Sequence, residues 1–92
     1  MTEKTVSLIL AFLHTKQNKL FSNIQTSRHE GVYPYIHITF CYTGLDVSVR
    51  VYNESFIKLF VDNQPWDICD SVKTFRDTIY NLENFNYGRD YY

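Results

Sequence analysis

The sequence predicts an α+β domain: a two-layer sandwich in which an antiparallel three-stranded meander carries two helices on one face, in the order α-β-β-β-α. Apolar residues recur at helical spacing near both ends of the chain, at Val6, Ile9, Leu10 and Leu13 and again at Ile68, Val72, Phe75, Ile79 and Leu82. Between them Tyr35 to Tyr42, Leu45 to Asn53 and Phe56 to Asp62 alternate apolar and polar residues, as half-buried strands do. The segments are separated by two or three residues, the length of hairpin loops.

The first helix is expected from Glu3 to about Gln17. Leu8 and Phe12 widen its stripe, so it either packs on more than one side or lends one of them to a partner. Residues Lys19 to Ser27 alternate only in part, which fits either a fourth, edge strand or a loop. His29-Glu30-Gly31 reads as a turn, and Pro34 keeps Tyr33 extended.

Loop lengths then set the register. A two-residue Thr43-Gly44 loop pairs Tyr42 with Leu45 and puts Ile36, Ile38, Phe40 and Tyr42 on the face of Leu45, Val47, Val49 and Val51. For the second hairpin, a two-residue loop at Asn53-Glu54 would turn Lys58 and Asp62 into the core. A three-residue loop Asn53-Glu54-Ser55 turns Ile57, Leu59 and Val61 inward instead, and the cost of burying unpaired charge selects it.

Asn63-Gln64-Pro65-Trp66 reads as a turn in which Trp66 lids the core, and Asp67 as the cap of helix 2, with Asp70 in its first turn. Residues 84–92, with Phe85, Tyr87, Tyr91 and Tyr92, form an aromatic tail without periodicity, expected to dock on the sheet, reach a partner or join a dimer contact.

A chain of 92 residues supports one core, so 1–92 is read as a single domain. Its aromatic share of 17% supplies more apolar area than a core of this size needs, which directs attention to the surface. A formal net charge of -1 argues against general attraction to phosphate backbones. Cys41 and Cys69 are too few for a disulfide framework and have no paired metal-ligand spacing, so two free thiols are expected. Met1-Thr2-Glu3-Lys4 ahead of the short apolar stretch Val6 to Leu13 has neither a basic n-region nor the length of a membrane span, so a cytoplasmic protein is expected.

Chemistry-bearing motifs are missing. His14, His29 and His37 form no HxxxH or HExxH, and Gly31, Gly44 and Gly88 form no phosphate-cradling loop, so neither a metal nor a nucleotide cofactor is expected. Cys41 and His37 share a strand face but lie too far apart for direct contact, and Asp46, expected opposite Cys41, does not activate a thiol. The chain is therefore read as non-enzymatic.

What remains is the outer sheet face. The register puts Tyr35, Tyr52 and Phe56 in one cross-strand row, His37, Arg50 and Lys58 in the next, and Thr39, Ser48 and Phe60 in a third. Arg50 and Lys58 oppose each other as like charges, which costs stability unless an anionic group neutralises them. Tyr and Arg are the residue types enriched in protein interfaces, so Tyr35, His37, Arg50, Tyr52, Phe56, Lys58 and Phe60 are the candidate partner-binding residues. Glu54, Asp62, Asp67 and Asp70 are a candidate acidic rim, gathered at one end of the sheet, that would contact a basic groove.

The α-β-β-β-α order resembles the double-stranded-RNA-binding domain. Where that family carries a basic cluster at the start of its second helix, this chain has Asp67-Ile68-Cys69-Asp70, and no Gly-Pro-x-His loop joins its first two strands. In size, element order and absence of catalytic groups the chain also resembles the small inhibitors that phages encode against host defence nucleases, anti-CRISPR and anti-restriction proteins among them. The expectation is an inhibitor or adaptor that binds a protein, such as a host nuclease or nucleic-acid-binding protein, by steric competition. The alternatives are a single-stranded nucleic-acid-binding module on the same face, or an immunity or antitoxin protein. A membrane partner is not expected, and a homodimer is left open.

Overall fold

The computed structural model describes residues 2–16, 21–42 and 44–89. Two helices flank five strands: α1 (Thr2–Lys16), β1 (Phe21–His29), β2 (Tyr35–Tyr42), β3 (Leu45–Asn53), β4 (Phe56–Val61), β5 (Gln64–Cys69) and α2 (Val72–Arg89). The strands form one antiparallel sheet in the order β1-β2-β3-β4-β5. The α+β class is as the sequence implies, but the sheet has five strands rather than three or four. The order α-β-β-β-α shared with the double-stranded-RNA-binding domain is therefore replaced by a longer meander.

The core lies between one sheet face and both helices. Ile9 and Leu13 of α1 and Phe75, Ile79 and Leu82 of α2 are buried in a single cluster with Ile38, Val49, Ile57 and Leu59 of the sheet. Phe12 joins the two layers from a half-buried position, its ring centroid 5.8 Å from Phe21, 6.2 Å from Phe75 and 6.0 Å from Tyr80. Leu8 stays exposed.

β1 settles the ambiguous segment as an edge strand, and its bulge explains the partial alternation. Between Ser22, opposite Cys41, and Gln25, opposite Thr39, two residues of β1 face one of β2. Asn23 takes φ of 56° there, which lets Phe21 and Ile24, three residues apart, both turn toward the core. Phe21 is clamped by Tyr42 at 5.0 Å and Phe40 at 5.4 Å between ring centroids.

The first hairpin has the expected register, Tyr42 opposite Leu45 through Ile36 opposite Val51. The second keeps the expected inward parity of Ile57, Leu59 and Val61, all buried, but by another device. Asn53 pairs with Phe56 across a two-residue Glu54-Ser55 turn, and the extra residue is a bulge at Tyr52. Ser55 donates its backbone N–H to Asn53 Oδ1 at 2.8 Å, an Asx turn that needs no glycine.

β5 replaces the expected Pro-containing turn. Asp62 and Asn63, at φ 51° and 65°, are a two-residue hairpin loop between the paired Val61 and Gln64. Ile68 pairs with Lys58 on the outer face and is 61% exposed, so it is not a core position of α2. Asp67 is likewise not the helix cap. That role belongs to Ser71, whose Oγ accepts the Thr74 N–H at 3.1 Å. Trp66 sits at a bulge in β5, half-buried against the core as a lid would be. α2 continues to Arg89, so the expected tail is helical over 84–89; Asp90, Tyr91 and Tyr92 lie outside the described residues. Among the described residues no helix is long and apolar enough to cross a membrane.

Candidate functional site

With both helices on one face, the other face of the sheet is open, and its side chains follow from the ladder. One row runs His29-Tyr35, then Tyr52 and Phe56. The next runs Ser27-His37-Arg50-Lys58-Ile68, and the third Gln25-Thr39-Ser48-Phe60-Pro65. All seven candidate partner-binding residues are therefore on this face. Tyr35, His37, Arg50, Tyr52, Lys58 and Phe60 are half-buried, and Phe56 is exposed.

Rings form a continuous chain across the strands. His29 stacks on Tyr35 at 4.8 Å and 11°, Tyr35 meets Tyr52 at 5.2 Å, and Tyr52 stacks on Phe56 at 5.1 Å and 26°. His37 meets the edges of His29 and Tyr35. The cations lie on the rings: the Arg50 guanidinium is 5.1 Å from the Tyr35 centroid and 4.9 Å from that of Phe60. Lys58 Nζ is 5.9 Å from the centroid of Tyr52 and 5.6 Å from that of Phe56. This is cation–π packing, and it spreads the opposed positive charges over negative ring faces.

The rings do not neutralise the charge. Arg50 and Lys58 are directly opposite, and among the described residues neither meets a carboxylate in an ion pair; the exposed pair Arg28–Glu3, at 3.5 Å, joins β1 to α1 elsewhere. Burial, with the charges of His29 and Arg50 adding to it, holds the His37 imidazole below its usual pKa. The centre of the face is a positive, ring-lined surface, and among the described residues it has no counter-ion.

The acidic rim does not assemble. Glu54 and Asp70 lie toward one end of the sheet, where β3 ends and β5 ends, whereas Asp62 lies at the opposite end beside Asp46. Asp62, Asp67 and Asp70 have local structural work. Asp62 Oδ1 accepts the Asp46 N–H at 3.1 Å, Asp67 Oδ2 lies 3.3 Å from the Thr78 hydroxyl, and Asp70 Oδ1 accepts the Thr74 hydroxyl at 2.8 Å.

At the other end of the face Cys41 is opposite Asp46, with its Sγ 3.5 Å from Asp46 Oδ1 and 3.8 Å from Asn23 Nδ2. No imidazole or cation touches that thiol among the described residues. Cys69 is buried between β5 and α2 near the Thr78 hydroxyl at 3.7 Å. Among the described residues there is no group of three His, Cys, Asp or Glu that could hold a metal ion.

Sequence reasoning missed two contributors. His29, expected in a turn, ends β1 and stacks on Tyr35. Ile68, expected in the second helix, lies in β5 opposite Lys58. The bulge at Asn23 hid the first, because a hydrophobic pattern broken by one residue does not read as a strand; the signal for the second is the Asp62-Asn63 pair, whose left-handed residues turn the chain into β5. No model of a known protein family, no curated protein and no solved structure matches this chain.

Proposed function

We propose that this chain is a non-enzymatic binding domain, an inhibitor or adaptor, whose open sheet face covers the surface of a protein partner. The observation that carries this reading is the Arg50–Lys58 pair, without a carboxylate partner among the described residues, set among Tyr35, Tyr52, Phe56 and Phe60. Rigid aromatic groups with few side-chain torsions supply contact area at low entropic cost, and cations desolvated against them discriminate in favour of an acidic counter-surface. A broad five-stranded sheet face acts by steric exclusion, as a competitive inhibitor of a nuclease or other nucleic-acid-processing protein would. Since the acidic groups do not form a rim, the sheet face rather than an anionic mimic of nucleic acid is the contact surface.

The test is a comparison of the wild-type chain with Tyr35→Ala plus Phe60→Ala as baits. The double variant is expected to keep its far-ultraviolet circular dichroism and to lose the partner captured by the wild type. Equal capture by both baits removes the face from the function.

A second reading, single-stranded nucleic acid, is favoured by the ring stacking itself, since bases stack on sheet-face aromatics while cations meet phosphates. Oligothymidylate anisotropy separates the two. Binding that weakens steeply with salt would establish the second reading, and no binding at low salt would eliminate it.

A further inference from the structure

One corner of the open face is built as a pocket. The loop after β1 carries Val32 and Tyr33, 88% and 78% exposed, and with Phe56 at 37% these are three of the large apolar side chains that the molecule leaves in solvent. All three line one open cavity of about 530 Å³ together with Pro34, Tyr52, Asn53 and Lys58. That volume is within the range of sites that take a small ligand or an anchoring side chain.

The stacked rings of Tyr52 and Phe56 form one part of its lining, and Tyr33 and Pro34 form another. Lys58 Nζ is held near both rings of that stack, and among the described residues no carboxylate lines the cavity. An apolar slot walled by rings, with one ammonium group and no acid, is complementary to an apolar group that carries negative charge beside it.

We infer that this pocket is the anchor site of the contact face, and that it takes an aromatic side chain flanked by carboxylates from an acidic peptide segment of the partner. The inference rests on the reading of the open sheet face as a protein contact surface, and it specifies the chemistry of the partner: the ring fills the slot between Tyr33 and the Tyr52–Phe56 stack, and the flanking carboxylates meet Lys58.

The probe is acetyl-Asp-Asp-Phe-Asp-Asp-amide, titrated into the ¹⁵N-labelled chain, beside the same peptide with Ala for Phe and with Asn for every Asp. The expected result is amide shifts centred on Tyr33, Tyr52, Phe56 and Lys58, with each control weaker by about tenfold. Tyr33→Ser changes a solvent-exposed loop residue, and Lys58→Gln keeps the strand's polarity, so both variants are expected to fold and each to weaken the parent peptide. The inference is overturned if the peptide produces no shifts, if the three peptides bind alike, if the shifts lie elsewhere, or if oligothymidylate displaces the peptide from these amides with higher affinity. Failure here differs from failure of the face. Loss of the partner in Tyr35→Ala plus Phe60→Ala, with no response to any peptide, keeps the face and discards the pocket. Peptide binding in a chain whose partner ignores that double variant does the reverse.

Discussion

The two thiols have opposite environments and make the sharpest single-residue prediction. Burial pushes the Cys69 thiol up, against the opposing hydrogen bond from Thr78 and with Asp67 and Asp70 adding to the rise. Cys41 is half-exposed on the open face. Iodoacetamide at mildly alkaline pH is therefore expected to modify one thiol of the native chain, and none in Cys41→Ser until denaturant is added. Equal labelling of both in the folded protein would contradict the packing of β5 against α2. His37 gives a pH dependence with a defined sign. Its native pKa lies below the unfolded value, so the unfolded chain takes up the proton first as pH falls. Stability is unaffected by this group above about pH 6.5, declines below it, and stops declining once the native imidazole is also protonated. His37→Gln is expected to flatten the fall of the urea midpoint between neutral and acidic pH; an unchanged slope would assign that fall to other groups. A bound carboxylate beside Arg50 would reduce the cost of charging His37, so the same titration with a ligand present is expected to shift the imidazole upward.

The elements show what physical signal the sequence carried and where it failed. Parity in β2, β3 and β4 was legible because burying Lys58 or Asp62 costs far more than any choice of turn, and so the outer rows from Tyr35 to Phe60 follow from the sequence. The bulges were not legible: an extra residue at Asn23, Tyr52 or Trp66 breaks the period of two without leaving a compositional mark. β5 was hidden for a second reason. Ile68 precedes Val72 by four residues and so extends the helical spacing of α2, while Pro65 argues against any strand but an edge one. The decisive signal was Asp62-Asn63, two residue types that tolerate left-handed backbone, set between Val61 and Gln64. Replacing Asn63 by Val, a β-branched residue at φ 65°, is expected to cost about 1–2 kcal/mol, read as a lower denaturation midpoint. Asn63→Gly should be tolerated at that position. Equal midpoints for Val and Gly would mean that the turn is not left-handed in solution.

At the scale of the molecule, both helices share one buried cluster with the sheet, and a Cα radius of gyration of 12.9 Å is close to the roughly 12 Å of a compact chain this long. One cluster implies one transition. Trp66 fluorescence, which reports β5, and far-ultraviolet circular dichroism, which reports every element, are expected to trace the same unfolding curve. An earlier loss of the fluorescence signal would make β5 a separately melting unit. The two margins of the sheet also differ in kind. β5 is short, interrupted by Pro65 and joined to α2, whereas β1 is regular from Gln25 to His29 beyond its bulge. Among the described residues, accretion by strand addition thus has a single available seam. A seam that can meet only its own copy is satisfied by a symmetric pair and has nowhere to propagate, so crowding would yield discrete doublets of this chain rather than filaments.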